Sequence, residues 1–276
     1  MRTNPDLEIV ASDIVSLQES GDYIKFVKAD ILDPATVNKV IEGSEVIYHL
    51  AAGEVKLSLG DPKLDMKLNI EGTINVLEAA RRMDVRRIVF SSASSVVGEA
   101  RYLPVDEKHP CSPKTPYAAA KLACENYIRI YSELYGLHTI IFRFFNVYGP
   151  FERIERGAPV SSILRSIATG SPVTVTGDGS QTRDFIYVGD LARLVAEALG
   201  LDKQFEIINM GTGKQTSIRE LVEVCEGIVG REAKIVYQPA RQGDTQNFFA
   251  DTRKLESLFN DIKWTTLPNG VILTYD

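Results

Sequence analysis

Cysteine is scarce in this sequence. Its 276 residues include three cysteines, Cys111, Cys124 and Cys225, which stand far apart and form no C-x-x-C or Cys/His ligand spacing. A disulfide framework, a zinc site or any other metal site is therefore not expected. We expect a reduced, cytoplasmic protein.

Long apolar runs and an excess of positive charge are also absent. No apolar run approaches the roughly 18 residues needed to cross a bilayer, and the opening MRTNPDLEIV lacks the apolar core of a signal peptide. The 31 Lys and Arg residues are outnumbered by 37 Asp and Glu residues, for a formal net charge of -6. We therefore expect neither a membrane nor a nucleic acid as a partner.

The sequence does contain short apolar runs that alternate with segments of helical period. The runs LEIVAS, YIKFV, EVIYHLAA, RRIVFSS and HTIIFRFF predict strands, because they are short and rich in β-branched residues. Residues 35–43, 62–83 and 116–136 predict helices, each with a proline near its start. This alternation predicts an α/β fold, a doubly wound parallel sheet with helices on both faces. The pattern loosens over 151–183, which is expected to join the C-terminal tail in a smaller lobe.

Residues directly after the predicted strands are the first candidates for a ligand site, because ligands bind beyond the carboxyl ends of strands in an open α/β sheet. Asp13 follows EIVAS, Asp30 follows KFVKA, residues 51–53 follow IYHL, and residues 91–92 follow RIVF. An acid at the end of an early strand can bind the two ribose hydroxyls of NAD. An aspartate after the next strand can reach the adenine amine. Taken alone, either acid is more typical of a turn than of a nucleotide site.

Tyr117 and Lys121 lie one helical turn apart in TPYAAAKLACENYIRIYSELYG. A tyrosine is a poor base because its pKa is near 10. A lysine cation four residues later, on the same helix face, would stabilise the phenolate and lower that pKa toward the working pH. Such a pair can move a proton on and off a sugar hydroxyl while a nicotinamide takes the hydride. The same spacing also occurs on ordinary helices.

A series of motifs carries a family resemblance. The segments RRIVFSSASSVVG, PYAAAK and FRFFNVYGP, in that order after VIYHLAAG and LNIEGTINVLEAA, resemble the extended short-chain dehydrogenase/reductases, the NAD-dependent sugar epimerase/dehydratase family. GDGSQTRDFIYVGDLA and NMGTGKQTSIREL are similar to that family's nucleotide-sugar members. The resemblance implies a Rossmann-like fold. Residues 1–150 with 184–210 would form the dinucleotide-binding domain, and 151–183 with 211–276 the substrate lobe.

The resemblance also implies roles for individual residues. Tyr117 would be the general base and acid, and Lys121 would also hold the nicotinamide ribose. The expected contacts of the NAD cofactor are Asp13, Asp30, Ile31, Leu50, Ala51, Ala52, Ser91, Tyr117 and Lys121. Asn146, Arg183 and Arg241 would bind the nucleotide sugar, and a pyrophosphate is well matched by guanidinium groups.

The segment SSASSVVG departs from the family pattern. Ala93 stands where relatives carry the Ser or Thr that hydrogen-bonds the reacting sugar oxygen, so Ser92, Ser94 or a water would have to replace that hydroxyl. Ser94 and Ser95 stand where 4,6-dehydratases carry an Asp-Glu pair. The missing acids favour 4-epimerisation of a UDP-sugar. Another enzyme of the family, such as a keto-sugar reductase or a dehydratase, and a catalytically silent nucleotide-sugar- or NAD-binding relative stay open.

A glycine-rich G-x-x-G-x-x-G loop is missing at the start, since NPDLEIVASDI resembles the family's second strand. That loop donates backbone N–H groups to the NAD pyrophosphate. We expect weaker NAD binding and a gap between the halves of the sheet. The missing loop is explained by a start site placed downstream of the real one, by a truncated gene, or by a silent relative.

Two further features bear on binding and assembly. NMGTGKQT imitates a dinucleotide loop, but Thr216 stands in place of the third glycine, so we predict a tight turn.

The family implies a homodimer. The helices 62–83 and 116–136 could pair across a two-fold axis, or their apolar faces could pack on the sheet.

Overall fold

The computed structural model describes residues 7–16, 24–152, 158–239 and 246–275. It is an α/β protein in which strands and helices alternate, as predicted. In chain order the first elements are β1 (Ile9–Asp13), β2 (Ile24–Lys28), α1 (Pro34–Ile41), β3 (Val46–His49), α2 (Val55–Gly60), α3 (Pro62–Met66), α4 (Gly72–Arg82), β4 (Arg87–Ala93), α5 (Pro116–Tyr135) and β5 (His138–Phe144). They are followed by β6 (Asn146–Tyr148), α6 (Pro159–Thr169), β7 (Val173–Thr176), β8 (Thr182–Arg183), β9 (Phe185–Tyr187), α7 (Val188–Glu197), β10 (Phe205–Met210), β11 (Thr216–Ser217), α8 (Ile218–Val229), β12 (Ile235–Gln238), β13 (Asn247–Phe248), α9 (Arg253–Leu258) and α10 (Leu267–Tyr275).

The chain divides into two compact units. The first unit comprises Met1–Phe90 and Thr115–Thr139, and the second comprises Ser91–Lys114 and Ile140–Asp276. The division into a dinucleotide-binding domain and a substrate lobe is a division by function, and it stays a prediction.

Parallel pairing dominates the first unit. β1 pairs with β2 from Ile9↔Ile24 to Asp13↔Lys28, and β3 pairs with β4 from Val46↔Arg87 to His49↔Phe90. Among the described residues β1 has no strand neighbour besides β2, and β3 lies at the edge of its sheet. In the described part of the chain β1–β2 and the sheet that ends at β3 are therefore separate sheets, and the predicted gap between the halves of one sheet stays a prediction.

Local capping explains where the helices of the first unit begin and end. The Asp33 carboxylate accepts a hydrogen bond from Ala35 N at the start of α1, and the Thr115 hydroxyl accepts one from Ala118 N at the start of α5. α5 ends at Gly136, whose φ of 69° suits a left-handed cap. The predicted helix over 62–83 consists of α3, a π-helical turn at Lys67–Glu71 and α4.

The second unit has its own core. Its large apolar cluster is formed by α6, α8, β7, β9 and α10, with Ile163, Ile167, Leu221 and Val271 among the buried residues. β10 lies beside β5, and the pairs β6–β9 and β7–β12 are parallel. β8 pairs with β11 antiparallel and with β13 parallel. No helix in the described ranges is both long and apolar enough to cross a membrane.

Candidate active site

The predicted tyrosine and lysine pair lies on the first turns of α5. Tyr117 is half-buried, whereas Lys121 is only 2% exposed. The Lys121 Nζ lies 5.9 Å from the centroid of the Tyr117 ring and 4.6 Å from that of Phe90 in β4. The structure therefore brings the two predicted residues together, with the cation beneath a phenol that keeps access to solvent.

Burial makes Lys121 a weaker base than an ordinary lysine. Loss of hydration lowers its pKa from 10.5 to about 8, while Cys124, Asp65 and Glu125 act in the opposite direction. At neutral pH Lys121 is therefore still mostly protonated, but it loses its proton at a lower pH than a surface lysine does. This is the state in which an ammonium group stabilises a neighbouring phenolate most directly, because little water screens it.

A buried polar cluster joins α5 to the loop that follows β3. Asn69, on the π-helical turn, accepts a hydrogen bond from Gly53 N at 3.2 Å through its Oδ1. The backbone oxygen of Asn69 accepts hydrogen bonds from Cys124 Sγ at 3.2 Å and from Thr73 Oγ1 at 2.5 Å. π-Helical turns often occur at functional sites, and this one carries the side chain that fixes the loop.

His49 extends the same cluster to the end of β3. Its Nε2 lies 2.9 Å from Thr73 Oγ1, and its ring packs on Phe90. Burial, with a smaller effect of Lys121, lowers the pKa of His49 to about 3. The imidazole is therefore neutral at physiological pH, and it stabilises the site as a packed and hydrogen-bonded group.

The predicted cofactor contacts in the first unit lie at the carboxyl ends of its strands. Asp13 and Asp30 are exposed, and their carboxylates accept hydrogen bonds from Val15 N at 3.0 Å and Leu32 N at 2.9 Å. Both acids thus take part in local turns, the alternative that the sequence left open. These bonds leave each carboxylate with acceptor capacity for a ligand.

Ile31 and the loop after β3 complete this edge. The Ile31 carbonyl accepts a hydrogen bond from Asn75 Nδ2 at 3.0 Å, which ties it to α4. Leu50, Ala51 and Ala52 are exposed. The two alanines have short side chains, which would let a ligand approach the backbone closely.

The serines after Phe90 belong to the second unit. Ser91 and Ser92 are buried at the end of β4, whereas Ser94 is partly exposed and begins a 3₁₀ turn. Ala93 is the last residue of β4 and has no hydroxyl. The buried Oγ of Ser95 has no hydrogen-bond partner within the part of the chain that the structure describes.

Asn146 and Arg183 also lie in the second unit. The side chain of Asn146 donates a hydrogen bond to the backbone oxygen of Asp184 at 3.1 Å, directly after Arg183. Arg183 Nη1 donates to the oxygen of Thr182 at 2.9 Å. Arg241 lies outside the described residues.

The NMGTG turn is held by a buried acid. Asp184 accepts hydrogen bonds from Thr212 N at 2.8 Å, Thr212 Oγ1 at 2.7 Å, Gly213 N at 2.9 Å and Ala250 N at 3.1 Å. A Cβ on Gly211 would lie 2.6 Å from Asp184 Oδ2, so only glycine fits there. The turn amides that a phosphate would need are occupied, which agrees with the predicted tight turn.

Sequence reasoning did not single out Asp65, Asn69, Thr73 or His49. The available signal was the recurrence of polar residues at 65, 69 and 73, four apart on one face of a helical segment. Polar residues at that spacing are ordinarily read as a solvated face. Here the face is buried, because α3 and the π-helical turn pack against α5.

Comparisons with known proteins identify the family and the fold. The model of the NAD dependent epimerase/dehydratase family matches residues 6–211. A putative UDP-glucose 4-epimerase of Methanocaldococcus jannaschii is 41% identical over 239 residues, which cover 85% of this chain and 77% of the relative.

Two solved structures are similar along nearly the whole chain. UDP-glucose 4-epimerase of Thermus thermophilus in complex with NAD matches with a TM-score of 0.87 and 31% identity, over 98% of this chain and 90% of that one. UDP-glucose 4-epimerase of Thermotoga maritima with UDP-glucose matches with a TM-score of 0.90 and 28% identity, over the same shares. The Rossmann-type α/β fold is thereby confirmed, and this chain belongs to the NAD dependent epimerase/dehydratase family.

Proposed function

We propose that this protein is an NAD-dependent epimerase that inverts carbon 4 of a UDP-linked sugar through a 4-keto intermediate. The observation that carries the proposal is the pair on α5, a half-buried Tyr117 above a buried and charged Lys121. UDP-glucose 4-epimerases among the relatives support the reaction. The scarcity of cysteine supports a cytoplasmic location.

The residues of the first unit fit the two ends of NAD. Asp13 offers an exposed carboxylate to the ribose hydroxyls of the adenosine half, and Asp30 is available to the adenine amine. The open backbone of residues 50–52 suits the approach of a flat dinucleotide. Lys121 would hold the nicotinamide ribose. When bound, NAD supplies a reversible hydride acceptor for carbon 4.

Proton transfer is the task of Tyr117. Its phenolate oxygen takes the proton of the sugar's 4-hydroxyl and returns it after the keto-sugar has turned over. Lys121 favours the phenolate by placing a positive charge beneath the ring, at a position that water does not screen. Ser92 or Ser94 would hydrogen-bond the reacting oxygen, because Ala93 cannot.

Residues of the second unit would bind the nucleotide part of the substrate. Arg183 and Arg241 would bind the pyrophosphate through paired N–H groups. Asn146 would contact the sugar nucleotide as well. The acids that drive elimination in dehydratases are replaced by Ser94 and Ser95, which supports epimerisation.

A homodimer is part of the proposal. α2, α3 and α5 expose large apolar side chains, namely Leu59, Leu64, Met66, Tyr127, Ile130, Leu134 and Tyr135. Exposed apolar residues spread over neighbouring helices are typical of a surface that another chain covers.

The direct test is conversion of UDP-glucose to UDP-galactose, and of UDP-glucuronate to UDP-galacturonate, in the presence of NAD. We expect Tyr117→Phe to lower the rate by about 100-fold or more, because general base catalysis contributes that much. Tyr127→Phe is the matched control, since Tyr127 is an exposed tyrosine on the same helix. Equal rates for Tyr117→Phe and the unmodified protein would contradict the proposed mechanism.

A catalytically silent binding protein is the second candidate, and Ala93 is the observation that favours it. Such a protein would bind UDP-sugars in a calorimeter without any turnover. A keto-sugar reductase would instead consume NADH or NADPH in proportion to product. A turnover assay with cofactor balance, combined with calorimetric binding of the UDP-sugar, therefore separates the three candidates.

A further inference from the structure

Asp65 is a buried acid next to α5, and the proposed mechanism does not use it. It is 1% exposed and lies on α3. Its Oδ1 accepts a hydrogen bond from Asn69 Nδ2 at 2.8 Å. Its Oδ2 is also buried and has no hydrogen-bond partner among the residues that the structure describes. A buried carboxylate with one oxygen free of hydrogen bonds is costly unless a positive charge faces it.

Lys121 is a buried positive charge that acts on Asp65. α3 packs against α5, and Lys121 is as deeply buried as Asp65. Asn69 links the two helices, because its side chain binds Asp65 and its backbone oxygen accepts from Cys124, three residues after Lys121. A pair of opposite charges in so little water interacts strongly.

The other titratable groups around Lys121 are Cys124 and Glu125 on its own helix, Tyr117 one turn before it, and His49 on β3. His49 is neutral at physiological pH and supplies no negative charge there, whereas Cys124 and Glu125 oppose the effect of burial on Lys121 from within α5. Asp65 is the acid that comes from another element. It therefore couples α3 to the charge on α5.

We propose that Asp65 is a positioning residue, which keeps Lys121 in its charged form and, through Asn69, fixes the backbone of the loop at Gly53. The part of this role that concerns catalysis rests on the proposed function. The contact with the loop is tight, since a Cβ on Gly53 would lie 2.8 Å from Asp65 Oδ1 and 3.1 Å from Asn69 Nδ2. The Asp65 carboxylate thus acts both on the charge of Lys121 and on the backbone of the loop after β3.

The direction of the electrostatic effect follows from the two charges. Burial lowers the pKa of Lys121, and Asp65 opposes that change. Conversely, burial raises the pKa of Asp65, while Lys121 and the hydrogen bond from Asn69 oppose it. Removing the Asp65 charge should therefore lower the titration midpoint of Lys121. Removing the Lys121 charge should raise the titration midpoint of Asp65.

The test follows the titration of Lys121 by the NMR shift of its 13Cε atom, assigned with Lys121→Met. In Asp65→Asn, which keeps the shape and an acceptor for Asn69, we expect the Lys121 midpoint to fall by about one pH unit. Glu71→Gln is the matched control, because Glu71 is an exposed acid one residue before α4. An unchanged midpoint in folded Asp65→Asn would overturn the proposal.

A reciprocal measurement covers the case in which Asp65→Asn does not fold. In Lys121→Met the midpoint of the Asp65 carboxyl, followed by its 13Cγ shift, should rise by the same amount, because coupling between two sites is reciprocal. No rise there would overturn the proposal equally.

Activity gives a separate answer about catalysis. If the chain is an epimerase, the alkaline limb of kcat/KM should move to lower pH in Asp65→Asn together with the Lys121 midpoint, and stay in place in Glu71→Gln. A midpoint that moves in a chain without turnover would support the charge coupling and count against the proposed function alone. If the alkaline limb of kcat/KM stays at the same pH in Asp65→Asn while the Lys121 midpoint moves, the catalytic part of the role of Asp65 is overturned.

Discussion

At the scale of single residues, the site depends on a lysine whose burial costs stability. Its pKa is about 8 in the folded chain, against 10.5 for an ordinary lysine. Between these values the unfolded chain binds more protons than the folded chain does. The free energy of unfolding therefore rises with pH in that window.

Lys121→Met should remove this dependence. For the unmodified protein we expect Lys121 to contribute a rise of about 2 kcal/mol in the free energy of unfolding from pH 8 to pH 10. Urea unfolding at the two pH values measures it, with Lys67→Met as the control at an exposed position. The same rise in Lys121→Met as in the unmodified protein would contradict the burial argument.

His49 should lower the free energy of unfolding at acid pH. Its pKa is about 3 in the folded chain and 6.5 in the unfolded chain, so the unfolded chain takes up the proton first as pH falls below 6.5. We expect this to cost about 3 kcal/mol of stability between pH 6.5 and pH 4. His49→Gln, which can still hydrogen-bond Thr73, should lose less stability over that range, measured by urea unfolding. The half-buried His138 provides the control His138→Gln, and equal acid losses in both variants would refute the prediction.

At the scale of elements, Asp184 organises the turn between β10 and β11. Four donors converge on its carboxylate. Asp184→Asn replaces one acceptor oxygen by a donor, which leaves buried N–H groups without partners. We expect a loss of about 2–5 kcal/mol in the free energy of unfolding, at roughly 1–3 kcal/mol for each unmet group. The exposed Asp202→Asn is the control, and matching urea midpoints for the two variants would contradict the assignment.

The elements themselves were predictable because their signals are local. Short β-branched runs, a proline at the start of a helix and Gly136 at its end act within a few residues, and the strands and helices lie where these signals predicted them. The Tyr117 and Lys121 pair was equally accessible, since one helical turn decides its geometry.

The surroundings of that pair were not predictable, because they depend on packing between elements distant in sequence. Asp65 and Asn69 look like residues of a solvated face until α3 is known to pack on α5. The π-helical turn that presents Asn69 has almost the same apolar spacing as an α-helix, so no periodicity distinguishes it. The roles of Asp13, Asp30, Asn146 and Arg183 stay predictions, and that of Arg241 falls outside the described residues.

At the scale of the whole molecule, the apolar surface of α5 should govern assembly. Leu134 is 68% exposed and Ile130 is 43% exposed. We expect Leu134→Glu to shift the proposed dimer toward monomer, because a charge in an apolar interface is unfavourable. Sedimentation velocity measures the change, and Leu103→Glu at an exposed position of the second unit is the control. A dimer that persists unchanged in Leu134→Glu would exclude this surface.

Binding and use of NAD by this chain are what the proposed reaction depends on. The most direct measurement is to denature the purified chain and assay the supernatant for released NAD(H). We predict that nucleotide is released, or that added NAD binds at millimolar concentration, through Asp13, Asp30 and the Tyr117 and Lys121 pair. Absence of nucleotide, with none bound after addition of millimolar NAD, would contradict the account.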